Sequence, residues 1–295
     1  MQTGIILALS AYFLWGILPV YWKLLKSVPP FEILCHRIIW SAIFMSTILY
    51  FQGSLTKLKA AFARNEGRRN FILSGLLLGI NWFTYVWAVN SGYIIEASMG
   101  YFINPLVTVC LGLFLFAEKI RVLQYFSILL AAIGVTYLTY QVGQLPWISL
   151  IIAFSFAFYS SLKKTSTSEA SESLALETLI LFPIAITFLL HLEYNQQAAF
   201  AHSEITMTLL LIGTGPVTLI PLLLFGMSVK RIPLVYLGLL QYLAPTLQFL
   251  IGVFLYKEIF DMNRFVGFCF IWTALIIFAG EGLWRFKKGN LKRVI

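Results

Sequence analysis

Charge is scarce in this sequence. Asp, Glu, Lys and Arg make up 11% of the 295 residues and apolar residues 60%, against roughly 25% charged in ordinary soluble domains. A water-facing globule of this composition could not cover its apolar surface, which excludes a soluble class. Cysteine is also rare: Cys35, Cys110 and Cys269 fall singly inside apolar runs, so neither a disulfide framework nor a zinc site is indicated. No Walker-type phosphate loop is present, which argues against ATP-driven work by this chain. G-x-S-x-G and H-E-x-x-H are missing, and His191 and His202 stand at the edge of apolar runs. An intramembrane enzyme is therefore not expected, and no cofactor or metal is implied. Ten-residue segments alternating in polarity are absent too, which excludes a membrane β-barrel.

What remains is long uncharged runs. A bilayer core of about 30 Å needs about 20 apolar helical residues to cross it. Ten such spans are predicted, at 4–22, 32–51, 71–91, 97–117, 122–140, 146–162, 174–192, 205–228, 234–256 and 265–284. The first is expected to be a membrane helix and not a signal peptide, since no Lys or Arg precedes it and it is too long for an h-region. The expected fold is an all-α membrane protein embedded in a lipid bilayer.

Cytoplasmic loops carry the excess of Lys and Arg. Lys57, Lys59, Arg64, Arg68, Arg69, Lys119, Arg121, Lys163, Lys164, Lys230 and Arg231, with Arg285, Lys287, Lys288, Lys292 and Arg293 in the tail, make sixteen on the side of the N-terminus. The other side has four: Lys23, Lys26, Lys257 and Arg264. Both termini are thus expected in the cytoplasm, with an even number of spans. The net charge of +9 reads as this asymmetry facing anionic headgroups, and no nucleic-acid partner is inferred from it.

The chain also repeats itself. NPLVTVCLGLFLFAE (104–118) aligns without a gap on APTLQFLIGVFLYKE (244–258) at an offset of 140, pairing Pro105 with Pro245, Gly112 with Gly252, Phe114 with Phe254, Leu115 with Leu255 and Glu118 with Glu258. Two repeats of five spans, 1–141 and 142–295 with its basic tail, account for this. An odd number of spans forces the second copy to enter from the opposite side, so the repeats are inverted. That architecture is common among secondary transporters, whose substrates bind near the midplane between the repeats.

Several blocks, AYFLWGILPVYWKLL with EILCHRIIWS, NWFTYVWAVN running on to GYFINPL, and LGLLQYLAPTLQF with FIWTAL, resemble the RarD-type branch of the drug/metabolite transporter superfamily, whose members carry the EamA domain. The likeness runs along the whole chain in order. It implies a ten-helix bacterial inner-membrane carrier with inverted five-helix repeats, in a family named through chloramphenicol sensitivity.

Candidate pathway residues follow from helical faces. Asn81, Thr84, Tyr85, Ala88, Ser91 and Gly92 share one face of the third span, with Trp82, Phe83, Val86 and Val89 opposite; a packing seam is the competing reading. Tyr101, Asn104, Pro105, Thr108 and Gly112 share a face of the fourth span, as do Gly238, Gln241, Pro245, Gln248 and Gly252 of the ninth. Each proline frees the carbonyl four residues earlier, on Tyr101 and Gln241, and a freed carbonyl at membrane depth must find protein, water or ligand. Glu118 and Glu258 end their helices where the dipole disfavours a carboxylate, and read as structural joints compensated by Lys119, Arg121 or the following helix in one copy and by Lys257 and Arg264 in the other. Glu177 reads as a first-turn residue of the seventh span, after the polar linker 163–173.

The stretch FEILCHRIIW (31–40) places Glu32, His36 and Arg37 at the head of the second span. From Ile38 only fourteen residues remain before Gln52, so His36 and Arg37 enter membrane depth or the bilayer thins. One reading is an interfacial cluster in which Arg37 snorkels. The other is a pathway in which Arg37, within reach of the first span or Glu96, neutralises a substrate anion while Glu32 and His36 carry a proton as coupling ion. The substrate would be a small molecule with an anionic group beside an apolar part, met by Trp15, Tyr21, Trp82, Tyr85 and Tyr242. The functional expectation is a secondary transporter, exporting such a metabolite or drug by alternating access. A non-transporting membrane partner or lipid scramblase is the alternative, and LTKLKAAFAR (55–64), an interfacial helix by its pattern, suits either.

Overall fold

A computed structural model describes residues 1–63, 65–140, 146–257 and 262–291. Twelve α-helices follow in order: α1 (Gln2–Leu24), α2 (Pro30–Phe51), α3 (Leu55–Ala63), α4 (Asn65–Asn90), α5 (Ile94–Phe114), α6 (Val122–Tyr140), α7 (Trp147–Thr165), α8 (Ala170–Tyr194), α9 (Ile205–Val229), α10 (Leu234–Gln241), α11 (Leu243–Leu250) and α12 (Met262–Leu291). A π-helical turn, Ile251–Leu255, extends α11. No strand occurs among the described residues.

Helix is the only local structure that satisfies these backbones in lipid, because each N–H finds its acceptor within the same segment. The boundaries have local causes. Proline opens α2 at its first position, where a missing N–H costs nothing. At α8, Glu169 and Glu172 form a reciprocal capping box. Gly53 and Gly92 follow α2 and α4 with φ of 65° and 86°, a conformation that a Cβ would strain.

Among the described residues, eight helical runs are long and apolar enough to cross a membrane: Gln2–Leu24, Pro30–Phe51, Gly67–Val89, Glu96–Phe114, Val122–Tyr140, Ala170–Tyr194, Ile205–Val229 and Leu234–Leu255. The chain is a multi-pass membrane protein. The sixth and tenth predicted spans correspond to α7 and α12, which fall below that measure. In α7 the reason is polar: Ser149, Ser155, Ser160, Ser161, Lys163 and Lys164 punctuate it. In α12 the apolar part is Phe265–Glu281.

Short connections reverse the chain, so the bundle has a proximal end, where α1 starts, and a distal end, where it finishes. Side chains tie elements at each end. Proximally, Arg121 meets Glu281 at 3.5 Å; distally, Ser149 Oγ donates to the Glu96 carbonyl at 2.6 Å. Between them α1 packs on α9, α10 and α11, α7 on α4 and α5, α2 on α8 and α9, α6 on α12, and α5 on α10. The α5–α10 approach is close because Gly238 has no side chain: a Cβ there would lie 2.7 Å from the Pro105 carbonyl oxygen.

Two features differ from the sequence reading. The linker 163–173 is mostly helical, with α7 running to Thr165 and α8 starting at Ala170. The ninth span is broken at Tyr242, between α10 and α11, where Pro245 has removed the N–H that would bond Gln241. Pro105, by contrast, sits inside an unbroken α5. Glu258 and the boundary between residues 141 and 142 lie outside the described residues.

Candidate functional site

A cavity of about 1050 Å³, its mouth included, lies among α1, α2, α4, α5, α7, α9, α10 and α11. Of the residues singled out in sequence, Arg37, Asn81, Tyr85, Tyr101, Asn104, Gln241, Pro245 and Gln248 line it. Most of these lie in the distal halves of their helices.

Among the described residues, Arg37 alone in its lining carries a fixed charge. The guanidinium carbon stands 4.9 Å from the Trp22 ring centroid and 4.7 Å from that of Trp82, and Nε donates to Thr218 Oγ1 at 3.1 Å. Among the described residues no carboxylate lies within ion-pair distance of it. Indole faces attract a guanidinium through their quadrupole and hold it without neutralising it. The result is a cation held at membrane depth, oriented and unmatched.

The amides are committed to helix–helix bonds on their NH₂ side. Asn81 Nδ2 donates to the Ile152 carbonyl at 2.8 Å and to Ser155 Oγ at 3.1 Å, and Asn104 Nδ2 to the Ala153 carbonyl at 2.6 Å. Gln248 Nε2 donates to the Trp15 carbonyl at 3.1 Å. Gln241 Nε2 donates to Asn104 Oδ1, while Gln241 Oε1 is buried without a partner. Tyr85 and Tyr101 meet edge to face, 5.5 Å between centroids. An apolar, aromatic-walled chamber with a few fixed polar groups suits a small amphiphilic molecule.

Toward the proximal end, rings close the chamber. Trp15 packs at 5.8 Å on Phe156 and at 5.5 Å on Phe225, and Phe156 packs on Phe225 at 5.2 Å and on Tyr159 at 5.6 Å. Tyr12 and Tyr159 are fully buried beside them.

Other sequence candidates sit elsewhere. Glu32 and His36 are buried, and neither lines the cavity. Glu32 Oε1 accepts the backbone N–H groups of Ala199 and Phe200 at 2.8 and 3.1 Å, tying the α8–α9 connection to α2. His36 Nδ1 accepts from Trp40 Nε1 at 3.2 Å; since indole only donates, the imidazole proton is on Nε2, 3.8 Å from Glu32 Oε1. Arg37 points to the first span, to Trp22, as one sequence alternative had it. Tyr242 is buried beside α5, its hydroxyl donating to the Phe102 carbonyl; Pro105 likewise lies off the cavity wall.

Glu118 is held by neither Lys119 nor the following helix. Its carboxylate accepts the N–H groups of Leu234 and Val235 at 2.8 and 2.9 Å, capping α10, with Lys164 Nζ at 3.5 Å. The positive pole of α10 thus offsets the negative pole of α5. Glu177 stands in the third turn of α8 and pairs with Lys163 at 2.8 Å, both buried. Trp82, opposite Asn81 by periodicity and named with Trp15 among the aromatics expected near the substrate, lines the cavity together with Asn81 and Trp15, whereas Tyr21 does not. Tyr12, Phe156 and Thr218 were missed; apolar or lone hydroxyl residues carry no sequence signal of facing a cavity.

Comparison with known proteins places this geometry in company. A model of the EamA-like transporter family matches residues 2–140. Protein RarD of Escherichia coli (strain K12) is 40% identical over 287 residues, covering 97% of each chain. The uncharacterized transporter YojE of Bacillus subtilis (strain 168) is 42% identical over 284 residues, 94% of this chain and 93% of that protein. The chloramphenicol-sensitive protein RarD of Pseudomonas aeruginosa is 27% identical over 281 residues, 93% and 92% of the two chains. A solved crystal structure, 18% identical, shares the fold with a TM-score of 0.72 over 93% of this chain and 96% of that one.

Proposed function

The chain belongs to the RarD-type branch of the EamA-like transporter family, and on that premise we propose that it is a secondary carrier for a small amphiphilic solute bearing an anionic group. The observation that carries the reading is Arg37, a guanidinium in the cavity wall between Trp22 and Trp82 with no carboxylate to match it. A cation left unneutralised at membrane depth is costly, and intramembrane ionisable residues commonly mark substrate pathways.

The proposed architecture is ten spans in two inverted repeats, 1–141 and 142–295. Three observations support it. Ala117 and Lys257, at the 140-residue offset, both have positive φ, 48° and 52°. Lys164 lies over the Phe116 ring and Lys23 over that of Tyr256, again at offset 140 for the rings. The packing of α1 on α10–α11 is mirrored by that of α7 on α5, and α1 on α9 by α7 on α4. Such halves rock around a central site to give alternating access.

We further propose that the proximal end is cytoplasmic, in the inner membrane, because the Lys and Arg excess lies there, and that transport runs outward. A proton is the proposed coupling ion, taken up at Glu32, whose Oε2 is buried and unpartnered beside His36.

The test compares metabolites released by cells carrying the intact chain, Arg37→Ala, and none, with added chloramphenicol as a neutral reference solute. An anionic solute enriched outside only with the intact chain supports the reading. Equal release in all three, or an effect limited to neutral solutes, would sink it; lipid scrambling in vesicles without solute counterflow would replace it.

A further inference from the structure

A second charged station lies below the cavity, out of contact with it. Lys163 Nζ stands 2.8 Å from Glu177 Oε1, and the two side chains are 3% and 0% exposed. The same carboxylate oxygen accepts from Ser74 Oγ at 2.7 Å and Ser173 Oγ at 2.8 Å, and Oε2 accepts from the Tyr159 hydroxyl at 3.1 Å. Lys163 also donates to Ser173 Oγ at 2.7 Å. One carboxylate thus ties together α4, α7 and α8.

The tie reaches the rings that close the chamber. Tyr159 stacks on Phe225 with 12° between planes, and on Phe156 at 5.6 Å. Trp15, Phe156 and Tyr12 form the cavity's proximal wall on the other side of those rings. To open a proximal passage α7 must move against α4 and α8, and Tyr159 cannot leave Phe225 freely while Glu177 holds its hydroxyl.

The repeat adds a positional reason. At the 140-residue offset that relates α2 (from Pro30) to α8 (from Ala170), Arg37 corresponds to Glu177. At the offset of 141 that brings Lys23 onto Lys164, Trp22 corresponds to Lys163. The contact of Arg37 with Trp22, which lines the distal cavity, and that of Lys163 with Glu177, buried under the proximal wall, are therefore the same inter-helix position in the two repeats. Inverted repeats exchange roles between the two facing states, so the position that is open distally is the one that must open proximally.

We propose that Lys163 and Glu177 are the latch of the proximal gate: paired, they hold Tyr159 and the ring cluster shut, and their separation opens the chamber to the proximal side. This rests on the transporter reading above. Both are positioning residues, acting through Tyr159 and the helices they join. Removing either partner leaves the other an uncompensated buried charge, which favours whichever state hydrates it.

The experiment uses the full-length chain in proteoliposomes, with Cys35, Cys110 and Cys269 replaced by alanine and Ala244→Cys as reporter on the cavity wall. A membrane-impermeant maleimide is applied from each face in turn, and no substrate is needed. With the latch intact the thiol reacts from the distal face. Glu177→Gln or Lys163→Met should raise the proximal rate at least about tenfold by shifting the population toward the proximally open state. Tyr159→Phe, which spares the ion pair, should raise it less. Should the single variants fail to insert, the neutral, volume-keeping pair Lys163→Met with Glu177→Met carries the same expectation. A properly inserted variant with unchanged sidedness overturns the latch alone, since a merely structural pair would alter stability and leave sidedness as it was. Absence of distal labelling in the intact chain would take down the cavity reading and the latch together.

Discussion

Gln241 donates its side-chain amide to Asn104 Oδ1 at 2.5 Å, and this bond joins α10 to α5 at the cavity wall. Asn104 in turn grips the Ala153 carbonyl of α7, so the break after α10 is held against two other helices. The oxygen left over, Gln241 Oε1, is buried, unpartnered and on the wall. A buried acceptor without a donor is where a substrate N–H or O–H would be read.

Gln241→Leu should raise the transport KM about fivefold while insertion survives, since a lost substrate hydrogen bond is worth about 1 kcal/mol; the orphaned Asn104 oxygen lowers stability and leaves KM alone. Counterflow kinetics in proteoliposomes would check this. An unchanged KM would remove Gln241 from recognition.

Arg37→Ala should weaken substrate binding by about tenfold to a hundredfold, the worth of a charge-assisted hydrogen bond of about 1.5–3 kcal/mol. Arg37→Lys should restore little, because a compact ammonium does not match a planar slot between Trp22 and Trp82. Full rescue by lysine would show that charge alone matters.

Glu118→Gln should lower thermal stability in detergent. The loss is about 1 kcal/mol or more, from a carboxylate cap on α10 and its ion pair with Lys164. Thermal unfolding midpoints would report it, and a midpoint equal to that of the parent chain would mean that the joint is not held electrostatically.

Gly238→Ala should destabilise by about 1–3 kcal/mol, because the new methyl overlaps the Pro105 carbonyl and the Val109 side chain. Gly280→Ala is the matched control: nothing lies within 4 Å of a Cβ there. Equal stability of the two variants would contradict the close α5–α10 crossing.

Glu32→Gln should uncouple transport from an imposed pH gradient, and the α8–α9 connection should loosen because a neutral amide holds the Ala199 and Phe200 N–H groups less tightly. Gradient-driven flux and amide exchange over residues 195–204 separate the two effects. Flux that still follows the gradient would remove Glu32 as the proton site.

Much was readable without coordinates because the bilayer leaves so few choices. Sixty per cent apolar composition and uncharged runs of span length dictate helices, and the run 104–118 announces its own copy at 244–258. Helical periodicity sets Asn81 beside Tyr85 and Tyr101 beside Asn104, since which residues share a face is a property of one helix. What a face meets is a property of several. Glu32 and Arg37 are five residues apart on α2, yet one ties down a loop and the other lines the cavity. Periodicity set Trp82 opposite Asn81 on one helix, and only the placing of α1 and α2 against it brought both residues onto the cavity wall. Glu118 and Glu177 looked like end-of-helix carboxylates, and each found partners about 116 and 103 residues away in sequence. Local chemistry determined the helices, their polarity and their family; the partners of each buried charge were decided only when the helices packed, because pairing in a low-dielectric interior depends on distances that no single helix contains.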